Sequence, residues 1–267
     1  LHHRPYRDTS ALVELITPGH GRVGVVARGA RRPKSALRTA LGPFRPLVVA
    51  WSGRGELRTL RSAEPGGPPV FPTGRRLMSL YYMNELILRL TARDDPHPEI
   101  FHAYADTVGP SVEGAPDAPR LRAFELRLLD GLGYAPNLAE EAASGRPVDP
   151  EGWYRFDPGE GLVPLPASDR PADAIRGRAA LALVAGQPLQ GADLESARRL
   201  LGAALRELLG ARPLRTREML RALGKKGLAQ YGLRQRSFRR LHGKDHRPWR
   251  EYRSRGHDPP GPGYPLS

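Results

Sequence analysis

The chain has 267 residues, 39% of them hydrophobic, and 42 Lys+Arg against 28 Asp+Glu for a formal net charge of +14. That length exceeds one ordinary domain of about 100–150 residues and suits two, while the excess of cations favours polyanionic partners, because each phosphate neutralised releases condensed counterions. The absence of Cys excludes disulfides, zinc–thiolate centres and cysteine nucleophiles.

Residues 1–62 hold 12 basic against 3 acidic side chains, net +9, and read as β structure. A partial strand at Leu1–Arg4 comes first; because the chain opens on Leu1 rather than Met, further residues are expected ahead of it. Ser10–Thr17 alternates, Pro18-Gly19-His20-Gly21 turns, and Arg22–Arg28 returns, which predicts a hairpin. Ala30–Leu41 is basic and reads as a loop with one helical turn. Phe44–Trp51 is the next strand, with Pro46 near its start, where a missing donor is tolerated. Ser52-Gly53-Arg54-Gly55 turns it into Glu56–Arg61. Five short strands with a helical insert predict a small β-barrel of the OB type; the same periodicity also fits an SH3-like barrel.

A Pro/Gly linker at 65–74 separates this unit, 1–64, from a helical one at 75–223. Arg75–Ala92 is apolar all round, as a central bundle helix would be. Asp95-Pro96 starts a helix to about Val108, and Arg120–Leu132 carries Phe124, Leu128 and Leu132 on one stripe, with Gly133 as its stop. An irregular insert around 137–168 contains strand-like Tyr154-Arg155-Phe156, and helices follow at Ala172–Ala185, Ala192–Leu209 and Thr216–Leu223. Residues 63–214 carry 16 basic and 21 acidic side chains, net −5, whereas 215–267 carry 14 and 4, net +10. Residues 224–267 lose the apolar period and predict a disordered basic tail. No signal peptide and no apolar run approaching about 20 residues is found, so neither secretion nor membrane spanning is expected.

The strongest candidate site is Arg28-Gly29-Ala30-Arg31-Arg32-Pro33-Lys34 with Arg38, five cations within eleven residues. Gly29 allows close backbone approach, and Arg4, Arg7, Arg22, Arg45, Arg54 and Arg58 would extend the patch over one barrel face. Aromatics that could stack bases are scarce (Tyr6, Phe44, Trp51), and Phe44 and Trp51 are assigned to the core, so binding led by the phosphate backbone with weak sequence preference is expected. The tail cations, among them Lys225, Lys226, Arg239, Arg240 and Lys244, form either a second polyanion site or a solubilising extension.

Catalytic readings are weaker. Asp94-Asp95-Pro96-His97-Pro98-Glu99 gathers metal-ligand residue types, but Asp before Pro is also how a helix begins. His242-Gly243-Lys244-Asp245-His246 falls in the tail, Glu140-Glu141 reads as a solvated helix end, and Asn84 reads as a hydrogen-bonded core polar residue. No phosphate-cradling, zinc-protease or nucleophile-elbow motif occurs. A DNA-binding, non-enzymatic protein without a cofactor is therefore expected. An RNA-binding OB protein is the alternative, and a nucleic-acid enzyme using Asp94, Asp95 and His97 on a metal is the third reading.

Six segments, HHRPYRDTSALVELIT (2–17), GRVGVVARGARRPKS (21–35), PFRPLVVAWSGRGELRTLRSAE (43–64), YYMNELILRL (81–90), LRAFELRLLDGLGYAPNL (121–138) and RPLRTREMLR (212–221), lie in the order and spacing of one family. Together they resemble the RecO family of bacterial recombination mediators. The resemblance implies an α+β multidomain chain: a five-stranded OB-type barrel, then a helical bundle with a small zinc-finger-like insert. It further implies binding of single- and double-stranded DNA, strand annealing, and action with RecR to load RecA onto DNA coated by the single-strand binding protein SSB, in the RecF pathway. A cytoplasmic, nucleoid-associated protein is expected on the same ground. DNA contact would then fall on Arg22, Arg28, Arg31, Arg32, Lys34 and Arg38, and the acidic, Phe-ending tail of SSB would meet Arg122 and Leu132. The chain departs from the family in two respects: it lacks the paired cysteines that bind zinc in some relatives' inserts, and its tail beyond Leu223 is longer and more basic.

Overall fold

The computed structural model describes residues 1–109, 117–166, 168 and 170–224. Five strands, β1 (His2–Tyr6), β2 (Ser10–Thr17), β3 (Gly21–Ala27), β4 (Leu47–Ser52) and β5 (Arg58–Pro65), form one sheet in the order β1-β2-β3-β5-β4. Only β3 and β5 run parallel; the other neighbours are antiparallel. Alternation decides the buried face. Ala11, Val13 and Leu15 sit directly opposite Ala27, Val25 and Val23, and all six are buried. The sheet is open, because β1 and β4 are edge strands that do not pair with each other. The short helix α1 (Ala36–Ala40) is the helical turn expected after β3.

The strand expected from Phe44 begins at Leu47 instead. Phe44 has φ +60°, so it turns the chain rather than extending it. Its ring is buried against the helices, edge-on to Tyr81 at 5.1 Å. Trp51, assigned to the core, is half-buried at the border of the sheet's core, edge-on to His20 at 5.2 Å.

The helical unit is built around α2 (Gly74–Leu90), with Met83, Leu86 and Ile87 fully buried. Around it lie α3 (Pro98–Val108), α4 (Asp117–Gly131), α5 (Gly177–Val184), α6 (Gly191–Leu209) and α7 (Arg215–Gly224). Asn84 is indeed a satisfied core polar residue: its amide donates to the Leu1 carbonyl at 2.7 Å, and its carbonyl accepts from the Tyr104 hydroxyl at 2.7 Å.

Helix α3 starts at Pro98, not at Asp95-Pro96. Asp94 has φ +60° and pairs with Arg58 at 2.8 Å, so the chain is still turning there, and Pro98 takes the position where its missing N–H costs nothing. Helix α5 starts five residues later than expected, because Ile175–Arg176 (β8) pairs with a strand of the insert.

Among its described residues, that insert has β6 (Trp153–Asp157) flanked by β7 (Gly161–Pro164) and β8. Without cysteines it is held by a polar knot over an apolar floor of Leu138, Val148, Leu162 and Ile175, continuous with the helical core. Glu141, expected to be a solvated helix end, is instead buried in this knot. It accepts from the Ser144 hydroxyl at 2.5 Å and from Arg146 at 3.0 and 3.2 Å, and the Tyr154 hydroxyl lies 3.4 Å away. The Ser144 hydrogen bond leads in holding its carboxyl below the usual range. The Tyr154 hydroxyl in turn accepts the Asp149 N–H at 2.8 Å. Among the described residues, no group of three or more His, Asp or Glu side chains is arranged to hold a metal ion.

Candidate nucleic-acid interface

The β1-β2-β3 meander brings the β1–β2 turn, residues 7–9, beside the loop that leaves β3. Consecutive turns shape that loop: Ala30 N–H donates to Ala27 at 3.4 Å, Arg32 to Gly29 at 3.0 Å, and Ser35 to Arg32 at 3.1 Å. Gly29 opens it with φ +69°, a left-handed conformation that glycine adopts without steric penalty. Ala30 is buried and anchors the loop to the sheet's core. The Arg31 N–H donates to the Thr9 carbonyl at 2.8 Å, and its guanidinium donates to the Arg7 and Asp8 carbonyls at 3.3 Å each.

Sequence reasoning put Arg28, Arg31, Arg32, Lys34 and Arg38 in one patch, and in the structure they share the segment that runs from the end of β3 through α1. All five are exposed. None makes an ion pair among the described residues; the Arg31 guanidinium bonds there only to neutral main-chain carbonyls. Arg7 adds to the same end of the sheet, with its guanidinium 5.2 Å from the Tyr6 ring centre. A loop braced by hydrogen bonds, with cations that form no ion pair among the described residues, suits phosphates, because an anion need not displace an internal partner.

Arg22 is placed elsewhere. It is half-buried in a junction between the sheet and the helices, 3.4 Å from Glu14, and donates to the Thr91 carbonyl at 2.9 Å. Arg93 also pairs with Glu14, and Asp94 N–H donates to the Arg22 carbonyl at 2.9 Å. Arg58, another proposed extension of the patch, is held there by Asp94. Arg22→Ala is therefore expected to lower the urea midpoint by the equivalent of about 1–2 kcal/mol while leaving the salt slope of DNA binding unchanged. A flattened slope with unchanged stability would return Arg22 to the phosphate patch.

The second candidate pair is not brought together. Arg122 is buried on α4, 2.9 Å from Glu125. Leu132 stands ten residues on, half-buried beyond the helix end, about 15 Å away at the helical rise per residue. Arg122 instead lines a cleft of about 1320 Å³ between α2, α4, α6, α7 and the insert. Arg75, Arg155, Arg198, Arg199, Arg206 and Arg217 line it too, against Glu125, Asp173, Glu195 and Glu207, with apolar wall from Leu121, Phe156 and Leu200. With Arg122 these cations come from five elements, and all but Arg217 lie in the stretch 63–214 that is acidic on balance, so no local charge run announced them. Arg199 and Arg206, seven apart on α6, were the one legible hint.

The metal-like residues near 94–99 have structural partners. Asp95 and Glu99 flank the His97 ring at 3.1 and 3.3 Å. The cations and histidines of 225–267 lie outside the described residues.

The N-terminal family model, Recombination protein O N terminal, matches residues 1–68, and Recombination protein O C terminal matches 72–218. The chain is 45% identical over 224 residues to the DNA repair protein RecO of Aromatoleum aromaticum, covering 84% of this chain and 93% of the relative. It is 44% identical to that of Azoarcus sp., with coverage of 84% and 93%, and 39% identical to that of Coxiella burnetii, with coverage of 82% and 94%. The chain belongs to the RecO family. Within this RecO chain the boundary between the two family models falls just after β5, where the sheet gives way to the helices. No helix among the described residues is long and apolar enough to cross a membrane.

Proposed function

We propose that this RecO-family chain acts in DNA repair and recombination as a non-enzymatic mediator. It binds DNA through the cations of the β3–α1 loop, anneals complementary strands, and with RecR helps RecA onto SSB-coated single strands. The observation that carries the reading is the preformed loop: Arg28, Arg32, Lys34 and Arg38 are exposed and form no ion pair among the described residues. The sheet order with parallel β3 and β5 supports an OB-type barrel, left open between β1 and β4, as the platform for that loop. In the helical unit, the arginine-lined cleft around Arg122 fits an acidic peptide with an apolar end, since cations and the Phe156–Leu200 wall stand side by side. The acidic tail of SSB has that chemistry.

The test is annealing of complementary oligonucleotides, bare and SSB-coated, by the full chain. Annealing is expected without nucleotide triphosphate and in the presence of a chelator, with binding that weakens steeply as salt rises. Preference for folded RNA over single-stranded DNA would instead favour the RNA-binding reading, and chelator-sensitive cleavage would overturn the non-enzymatic one.

A further inference from the structure

The arginine-lined cleft has a floor that is not cationic. Glu125 on α4 is 1% exposed and lines the cleft from beneath. Its Oε1 accepts from the Tyr82 hydroxyl at 2.8 Å and lies 2.9 Å from Nη2 of Arg122. Its Oε2 is buried and has no hydrogen-bond partner among the described residues. The most deeply set cation of the cleft is thus already held by an internal anion, and that anion is only half satisfied.

We propose that Glu125 is an internal competitor for Arg122, so that neutralising Glu125 strengthens the binding of an acidic peptide in the cleft. The inference rests on reading the cleft as an acidic-peptide site. With Glu125 ionised, an entering carboxylate meets the like charge of a carboxylate that is itself buried, and Arg122 is shared between two anions. With Glu125 neutral, the repulsion disappears and the guanidinium is free to turn to the ligand.

The groups facing Glu125 from the packed elements are Arg122 on α4, Tyr82 on α2, Arg198 on α6 and Arg217 on α7. Burial pushes its carboxyl above the usual range, against the pull of Arg122, the Tyr82 hydroxyl and the other two arginines. Among the described residues the remaining acids of the cleft, Asp173, Glu195 and Glu207, are exposed, and no histidine lines it. Burial therefore favours the neutral carboxyl of Glu125 as pH falls. Affinity for an acidic peptide rises as pH drops toward the raised value and is lowest above it. By reciprocity, peptide binding draws a proton onto Glu125.

The experiment is calorimetry on the full chain with a short synthetic peptide of aspartates ending in phenylalanine. The wild type is expected to bind more tightly at about pH 5.5 than at about pH 8, with proton uptake seen as a buffer-dependent heat. Glu125→Gln is expected to bind about tenfold more tightly than wild type at the higher pH, and to lose both pH dependence and proton uptake. Tyr82→Phe removes the donor that favours the charged carboxylate, so it moves the pH profile upward. Equal or weaker binding by a folded Glu125→Gln variant at the higher pH overturns the competitor role. Arg206→Glu keeps the two readings apart: a peptide that binds it as well as wild type refutes the cleft as the site, whatever Glu125→Gln does.

Discussion

Replacing Arg31, Arg32 and Lys34 together by alanine is expected to weaken single-stranded DNA binding about 100-fold near 0.1 M salt, and to flatten the salt slope by about 2. Each cation that neutralises a phosphate on a single strand contributes roughly 0.7 to the slope, so three contribute roughly 2, and that slope sets the size of the loss. The fold is expected to survive. All three side chains are exposed, Ala30 still anchors the loop, and the Arg31 main-chain N–H keeps its bond to Thr9. The Arg31 guanidinium bonds that disappear are exposed ones to carbonyls that water can satisfy. Filter binding across a salt series, with thermal unfolding alongside, checks both halves. An unchanged slope would move the DNA footprint away from the β3–α1 loop.

Gly21→Ala is expected to cost roughly 3–5 kcal/mol of stability, combining the left-handed backbone penalty with overpacking. Gly21 has φ +60°, and a Cβ there would lie 1.9 Å from the Asp95 carbonyl oxygen and 2.4 Å from its carbon. Both neighbours are main chain, so relief requires moving the segment 93–95 that pairs with Glu14, Arg22 and Arg58. The sheet and the helices would separate at the junction that sets their relative placement. Gly19→Ala, in the same turn with nothing within 4 Å of its Cβ position, is the matched control and is expected to change stability by less than about 0.5 kcal/mol. Equal urea midpoints for the two variants would show that this contact relaxes without loss.

Much of the architecture was legible along the chain. Alternation in Ser10–Thr17 predicted β2 to the residue, and the all-round apolar run after residue 74 predicted the central helix within two residues at either end. These elements bury one face or all faces, and burial writes a period into the residues. The elements that shifted did so for tertiary reasons. Phe44 left the strand pattern because its ring fills the helical core, and α5 lost its first turn because β8 pairs with β6.

The two candidate sites divide along the same line. The β3–α1 cations are neighbours in sequence because one loop carries them, so composition and a charge run were enough to find Arg28, Arg31, Arg32, Lys34 and Arg38. Arg22 carries the same charge in the same stretch, yet only the fold shows that Glu14 and Thr91 hold it at the junction. The cleft is a product of tertiary structure: Arg75, Arg122, Arg155, Arg206 and Arg217 come from distant segments and converge because α2, α4, α6, α7 and β6 pack around one space. Sequence alone thus determined the basic character of the chain, the order of its sheet and helical parts, and the loop that presents charge. Packing decided which arginines are available to a ligand and which are held by carboxylates, since charge is a property of a residue but its pairing belongs to the neighbours that folding supplies.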